Sequence, residues 1–252
     1  MLWAAISLII SYSEQSGFDF SNTGQWGDSF GSLNALFSAF GFTAIVITLF
    51  LQRKALKDQA EDLHRQRFES SFFELIALLR QLRSEIRLGL SNELQEYARA
   101  RDLGAPSKIK ARVKAHDAIT AAVAEVRYWS RRQGGIKNVS KESIEEIFMR
   151  RVHLPNEHSI GPYFRNIYYI LKKIKTDKVL TNDEKVQYSN LLRGQLSSHE
   201  VTLIAINGLA KVSNDLSDLL IHFRMLKYLP NDEVKVMLKR FYPKQAFMAR
   251  GD

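Results

Sequence analysis

Tyr163, Arg165 and Tyr168 lie within residues 160–174, and Arg193, Gln195, Ser198, Glu200 and Asn207 follow within 188–207. Two arginines among tyrosine, amide and hydroxyl neighbours can build a pocket for an anionic ligand, because a guanidinium grips an anion through two parallel hydrogen bonds. The same residue types also build internal networks, in which Arg165 or Arg193 pairs with Glu200 and closes helix ends. Structural networks are the commoner origin of such clusters.

The other chemistry is thinner. Arg193 and His199 stand in an Arg-x5-His spacing. In an all-helical chain this resembles the motif of HEPN ribonucleases. That resemblance implies a histidine acting on the 2′-hydroxyl and an arginine steadying the phosphate, so Arg193 and His199 are the candidate catalytic pair of a second reading, a membrane-tethered ribonuclease. On an unbroken helix the step between them turns about 240°, which puts them on different faces. Ser197 with Glu200 also reads as a helix-opening capping box. His64, His116, His153, His158 and His222 show no metal-ligand spacing. No Gly-rich phosphate loop follows a strand, so nucleotide hydrolysis is unsupported. The chain has no Cys, which excludes thiol catalysis, disulfides and Cys-based zinc sites. No cofactor and no metal are expected.

The elements that must position these residues are helices. Pro162 marks a first helical turn, followed by an apolar stripe through Phe164, Ile167, Leu171 and Ile174. Thr181 with Glu184 and Ser197 with Glu200 are capping boxes opening helices to about residues 196 and 212. Further helices are predicted over 215–229 and 232–241, stopped by Pro230 and Pro243. Upstream, helices are predicted over 92–103, 108–132 and 140–152. The one over 108–132 carries seven Lys and Arg, more often a solvated face than a nucleic-acid site, and its Tyr128 and Trp129 fit a core stripe as well as a base stack. Strand-like alternation is absent, and the fold class predicted is all-α.

Residues 33–51 contain no charge. As a helix they reach about 28 Å, close to the ~30 Å of a bilayer core. Leu33, Phe37, Phe40, Ile45, Ile47 and Leu51 are their large apolar members. The competing reading, a buried helix of a soluble protein, requires an unusually long uncharged run. Arg53, Lys54 and Lys57 follow at once, as on the cytoplasmic side of a membrane segment. All 36 Lys and Arg lie beyond residue 52, while the first 52 residues carry only Glu14, Asp19 and Asp28. The overall charge of +9 therefore leaves +12 for the remainder, an outer acidic loop and an inner basic domain. A shorter apolar run, residues 2–12, reads as a first membrane helix or a re-entrant piece. Residues 13–32 read as a loop, with Gly24, Gly27 and Gly31 allowing turns and Asp28 favouring a helix N-terminus. From residue 52 to about 88 the helical pattern continues without Pro or Gly.

These readings give three parts: a membrane anchor over 1–52 with its main transmembrane helix at 33–51, a basic stalk helix over 53–90, and a cytoplasmic all-α helical-bundle domain over 91–252. The lipid bilayer is the first partner, and the location expected is the bacterial inner membrane with the C-terminal domain cytoplasmic.

Two blocks carry a family resemblance. The first is GQWGDSFGSLNALFSAFGF, running on to LFLQRKALKDQ and RFESSFFELI, with Phe68, Glu69, Phe72 and Phe73 in the last motif. The second is IGPYFRNIYYILKKI followed by YSNLLRGQLSSHE and Asn207. Together they cover about half the chain, and on them it resembles the AbiC-like phage abortive infection proteins. The basic middle, residues 88–158, has no counterpart, and residues 2–12 fall short of the family's fuller first membrane helix. The resemblance implies antiphage defence in which the infected cell is halted or killed. It yields three expectations: a non-enzymatic effector whose homo-oligomerising membrane helices damage the bilayer on a phage trigger; the ribonuclease of Arg193 and His199; or an effector kept silent by a neighbouring reverse transcriptase with its RNA/DNA product, or by another defence-system protein.

Overall fold

The computed structural model describes residues 23–100 and 112–249. The apolar run 2–12 and the aromatics Phe18 and Phe20 lie outside the described residues. The chain divides into two compact units, Met1–Leu63 and His64–Asp252.

In the first unit the described residues belong to a single helix, α1 (Thr23–Glu85), which continues into the second unit. The expected loop through residue 32 is therefore corrected: Gly24, Gly27, Asp28 and Gly31 all lie in helical backbone. No Pro interrupts Thr23–Glu85, and Gly costs a helix only about 1 kcal/mol each. Leu33, Phe37, Phe40, Ile45, Ile47 and Leu51 all project exposed from this helix. Thr43 and Thr48 return their hydroxyls to the carbonyls of Ala39 and Ala44 at 2.8 and 2.7 Å, so neither leaves a donor unsatisfied. Among the described residues, α1 is the one helix long and apolar enough to cross a membrane.

The second unit is a helical bundle. The last part of α1 buries Phe68, Phe72, Ile76 and Leu79, the four- and three-residue spacing of one helix face. A short strand, β1 (Arg87–Gly89), follows, then α2 (Asn92–Ala100). A second strand, β2 (Arg112–Lys114), pairs antiparallel with β1, Leu88 opposite Val113. The helix expected from residue 108 thus begins later, as α3 (Ala115–Arg132). Ala115, the first residue of α3, adopts a φ of 52°, outside the right-handed helical region, so the helix does not extend upstream of it, and its N–H bonds the carbonyl of Ile86 at 2.8 Å. The two short strands leave the unit all-α in class.

Helix α4 (Lys141–Phe148) opens on the Ser140 cap. It passes through a π turn (Met149–His153) and a 3₁₀ turn (Leu154–Asn156) into α5 (Glu157–Thr176). Pro162 was expected in a first turn, but α5 begins five residues earlier, at Glu157. Pro162 is interior and offers no N–H for the carbonyl four residues back.

Both capping boxes form as expected. Thr181 opens α6 (Asn182–Gly194) and Ser197 opens α7 (Ser198–Asn207). Glu200–Asn207 are all buried, so α7 is enclosed on every side and serves as the bundle's central helix. Gly208 ends it where a Cβ would stand 2.5 Å from the hydroxyl of the buried Tyr242, a clash that a side chain could relieve only by displacing that ring. A 3₁₀ turn (Lys211–Ser213), α8 (Asn214–His222), α9 (Glu233–Phe241) and a last 3₁₀ turn (Lys244–Phe247) complete the order. Turns replace helix beyond Phe223, because Arg224 takes a φ of 46°.

Candidate functional site

Helix α5 turns one stripe into the core and another to the surface. Tyr163, Phe164, Ile167, Ile170, Leu171 and Ile174 are buried, while Arg165 remains 67% exposed at its side chain. Arg165 and Tyr168 line an open cavity of about 650 Å³, with His153, Asn207, Lys211 and Asp215 among its other lining residues. Residues from the π turn, α5, α7, the Lys211–Ser213 turn and α8 therefore meet at one opening.

The polar groups at this cavity are partly committed. Arg165 Nη1 donates to Glu157 Oε1 at 3.1 Å. Gly161 lies beneath that pair, and a Cβ there would stand 2.8 Å from Glu157 Oε1. The Tyr168 hydroxyl donates to Asp215 Oδ2 at 3.3 Å and accepts from Lys172 Nζ at 3.0 Å. Ser213 donates to Asn207 Oδ1 at 3.4 Å. His153 differs: its Nδ1 is buried and meets no hydrogen-bond partner among the described residues. Burial lowers the pKa of its imidazole, Glu157 opposes that and Arg165 adds to it, so the ring is held neutral at physiological pH. Its face lies 6.4 Å from the ring of Phe164.

The remaining predicted residues go elsewhere. Glu200, only 2% exposed, receives the Tyr163 hydroxyl and Arg83 Nε on Oε1, both at 2.6 Å. Its Oε2 accepts the Ser197 backbone N–H at 2.7 Å. Arg83 Nη2 also donates to the Gln195 carbonyl at 2.6 Å, and Arg80 Nη2 to Gln195 Oε1 at 2.7 Å. The expected partners of Glu200 are thereby corrected. Arg165 pairs with Glu157 and the Arg193 guanidinium lies over the Tyr228 ring at 4.8 Å, so Arg83 from α1 reaches the carboxylate instead. Burial, then the charge of Glu200, push the Tyr163 hydroxyl well above the usual phenol range.

Arg193 and Ser198 line a separate hollow of about 300 Å³ with Tyr228. His199 sits at the second residue of α7, its ring 6.4 Å from that of His116. A turn separates Arg193 on α6 from His199 on α7, so the two do not share a helix. Among the described residues no cluster of three or more His, Asp and Glu can hold a metal ion.

The basic α3 spends part of its charge on partly exposed ion pairs to another element of the fold. Arg127 pairs with Asp232 at 2.6 Å and Arg131 with Glu233 at 3.2 Å, joining α3 to the start of α9. Arg151 lies over the Trp129 ring at 3.8 Å, and Tyr128 is largely buried.

His153, Lys211 and Asp215 of the cavity lining and Arg83 of the Glu200 network are residues that sequence spacing does not single out. His153 is readable only as a histidine two residues before Pro155, and Arg83 as one of many stalk cations.

Residues 155–234 match the model of the family described as Putative phage abortive infection protein. This bears out the resemblance seen in the second sequence block, and the matched segment holds Arg165, Tyr168, Asn207, Lys211 and Asp215 of the cavity. Neither a curated protein nor a solved structure matches the chain.

Proposed function

Proceeding from that family match, we propose that the chain is a membrane-anchored abortive infection effector with no enzymatic activity of its own. In this reading residues 33–51 of α1 cross the bacterial inner membrane and the basic remainder lies in the cytoplasm. The helical unit senses a phage trigger, after which the membrane helices of several copies cluster and damage the bilayer. The observation that carries the reading is the family match on the segment built around the cavity.

Helix α5 supplies a route for the signal. Arg165 and Tyr168 face the cavity, while Asn166 Nδ2 donates to the Leu75 carbonyl of α1 at 3.1 Å. Tyr163 reaches Arg83 of α1 through Glu200. An occupant that shifts α5 is thus felt at the part of α1 within the second unit, and a shift between two packed arrangements is the usual form of such coupling.

The test is Ile45→Arg. A charge near the bilayer centre costs about 2.5–3.5 kcal/mol on insertion scales. The expected outcome is loss of toxicity and of phage defence, with the protein found in the cytosolic fraction and its helical unit folded. Undiminished killing by that cytosolic protein would overturn the membrane mechanism.

A further inference from the structure

We propose that the cavity between α5 and the Lys211–Ser213 turn binds a small phosphorylated organic molecule, held by Arg165 and Lys211 and contacted by His153. The proposal rests on the effector reading above and names the chemistry of its trigger site.

Size is the first argument. A cavity of about 650 Å³ falls within the range of ~300–1,000 Å³ typical of small-molecule sites, and it far exceeds a bare phosphate. Charge is the second. The guanidinium of Arg165 and the ammonium of Lys211 come from different elements and border the same opening. Glu157 engages Nη1 of Arg165 alone, which leaves the other guanidinium nitrogens to an anion, while Asp215 accepts the Tyr168 hydroxyl and keeps its own charge at the opening. A phosphate monoester carries about −1.5 to −2 at neutral pH, which suits two cations better than a single carboxylate does. Its oxygens also match the fork of a guanidinium.

The lining supplies the third. His153 borders the cavity with its ring, while its buried Nδ1 is closed off from solvent. Phe164 and Tyr168 furnish an apolar wall for the organic part of the ligand.

The test uses the full chain in detergent, titrated calorimetrically with AMP, ribose 5-phosphate and citrate. AMP is expected to bind, and the Arg165→Ala/Lys211→Ala double variant to lose roughly tenfold or more in affinity, the consequence of removing charged hydrogen bonds. Both side chains are exposed, so the variant is expected to keep its thermal midpoint. Arg193→Ala, which alters the other hollow, should bind as the parent chain does. Binding of ribose 5-phosphate equal to that of AMP would support the phosphorylated class and assign no role to a base. No binding of AMP or ribose 5-phosphate, equal binding of citrate, or binding that survives in the double variant would each overturn the proposal. If ligand binding fails while Ile45→Arg still abolishes killing, the effector reading stands without this ligand. If binding holds while Ile45→Arg still kills, only the membrane mechanism falls.

Discussion

Arg83 and Glu200, separated by 117 positions in the chain, are joined by a 2.6 Å hydrogen bond between Nε and Oε1. The arginine is on α1 and the carboxylate is on the buried central helix α7. Removing one member of a buried pair strands the other charge, at a cost of about 3–5 kcal/mol. Arg83→Met is therefore expected to lower the thermal midpoint of the detergent-solubilised chain sharply, read by far-ultraviolet circular dichroism. Arg83→Met combined with Glu200→Gln should recover part of the loss, because the stranded charge is gone. Equal stability of parent and single variant would show that the pair does not hold α1.

Tyr163 makes the same network sensitive to alkali. Its hydroxyl, buried and bonded to Glu200, resists ionisation well above its ordinary pKa. A group whose folded pKa is raised contributes fully below its unfolded value, about 10 for tyrosine, and loses that contribution as pH rises beyond it. Stability is expected to fall above about pH 10 in the parent chain. Tyr163→Phe should start lower by about 1.5–3 kcal/mol, the worth of a hydrogen bond to a charged acceptor, and decline less steeply with pH. Parallel pH profiles for the two proteins would contradict this.

Asp177 gives a response of opposite sign. Burial raises its pKa, but the amides of Leu180 and Val179 together with His64 outweigh that, and the net shift is downward. Its Oδ2 lies 2.8 Å from His64 Nε2 on α1, and its Oδ1 accepts from Val179 and Leu180 at 2.9 and 3.0 Å. A depressed folded pKa gives stability present above the unfolded value, about 3.9, and lost as pH falls through the folded one. Asp177→Asn should therefore match the parent at low pH and be the less stable at pH 7. A constant difference across that range would remove the carboxylate from the account.

The punctuation of the C-terminal half was legible because its signals are local. Thr181 and Ser197 each cap with an acid three residues on, and both boxes form as the spacing predicts. The uncharged run 33–51 was legible for the same reason. What spacing could not reveal is long-range choice. Arg83 rather than Arg165 or Arg193 meets Glu200, and that depends on where α1 packs, which no local pattern encodes. The strand at Arg112–Lys114 was hidden likewise, since its three residues acquire their conformation from pairing with Arg87–Gly89 and from the left-handed Ala115. The eight polar candidates read as one cluster in sequence. They separate because residues one and two positions apart on α5 face different ways, Tyr163 inward to Glu200 and Arg165 outward to the cavity.

A single histidine separates the non-enzymatic effector from the ribonuclease. As a general base His199 would contribute about 10²–10⁴-fold, so its loss would abolish killing. Its surroundings favour a plainer role: it follows Ser197, whose hydroxyl accepts the Glu200 N–H at 3.3 Å, and its ring neighbours that of His116. Ser197→Ala removes that cap and should cost about 1 kcal/mol. His199→Ala, which removes no cap, should cost about 0.5 kcal/mol or less. Arg193→Ala discriminates less well, because the Tyr228 ring beneath its guanidinium makes it a packing residue too. His199→Ala is expected to retain phage defence at normal protein level, measured as plaque formation beside the parent. Complete loss of defence, with the variant abundant and still in the membrane fraction, would replace the effector mechanism with RNA cleavage.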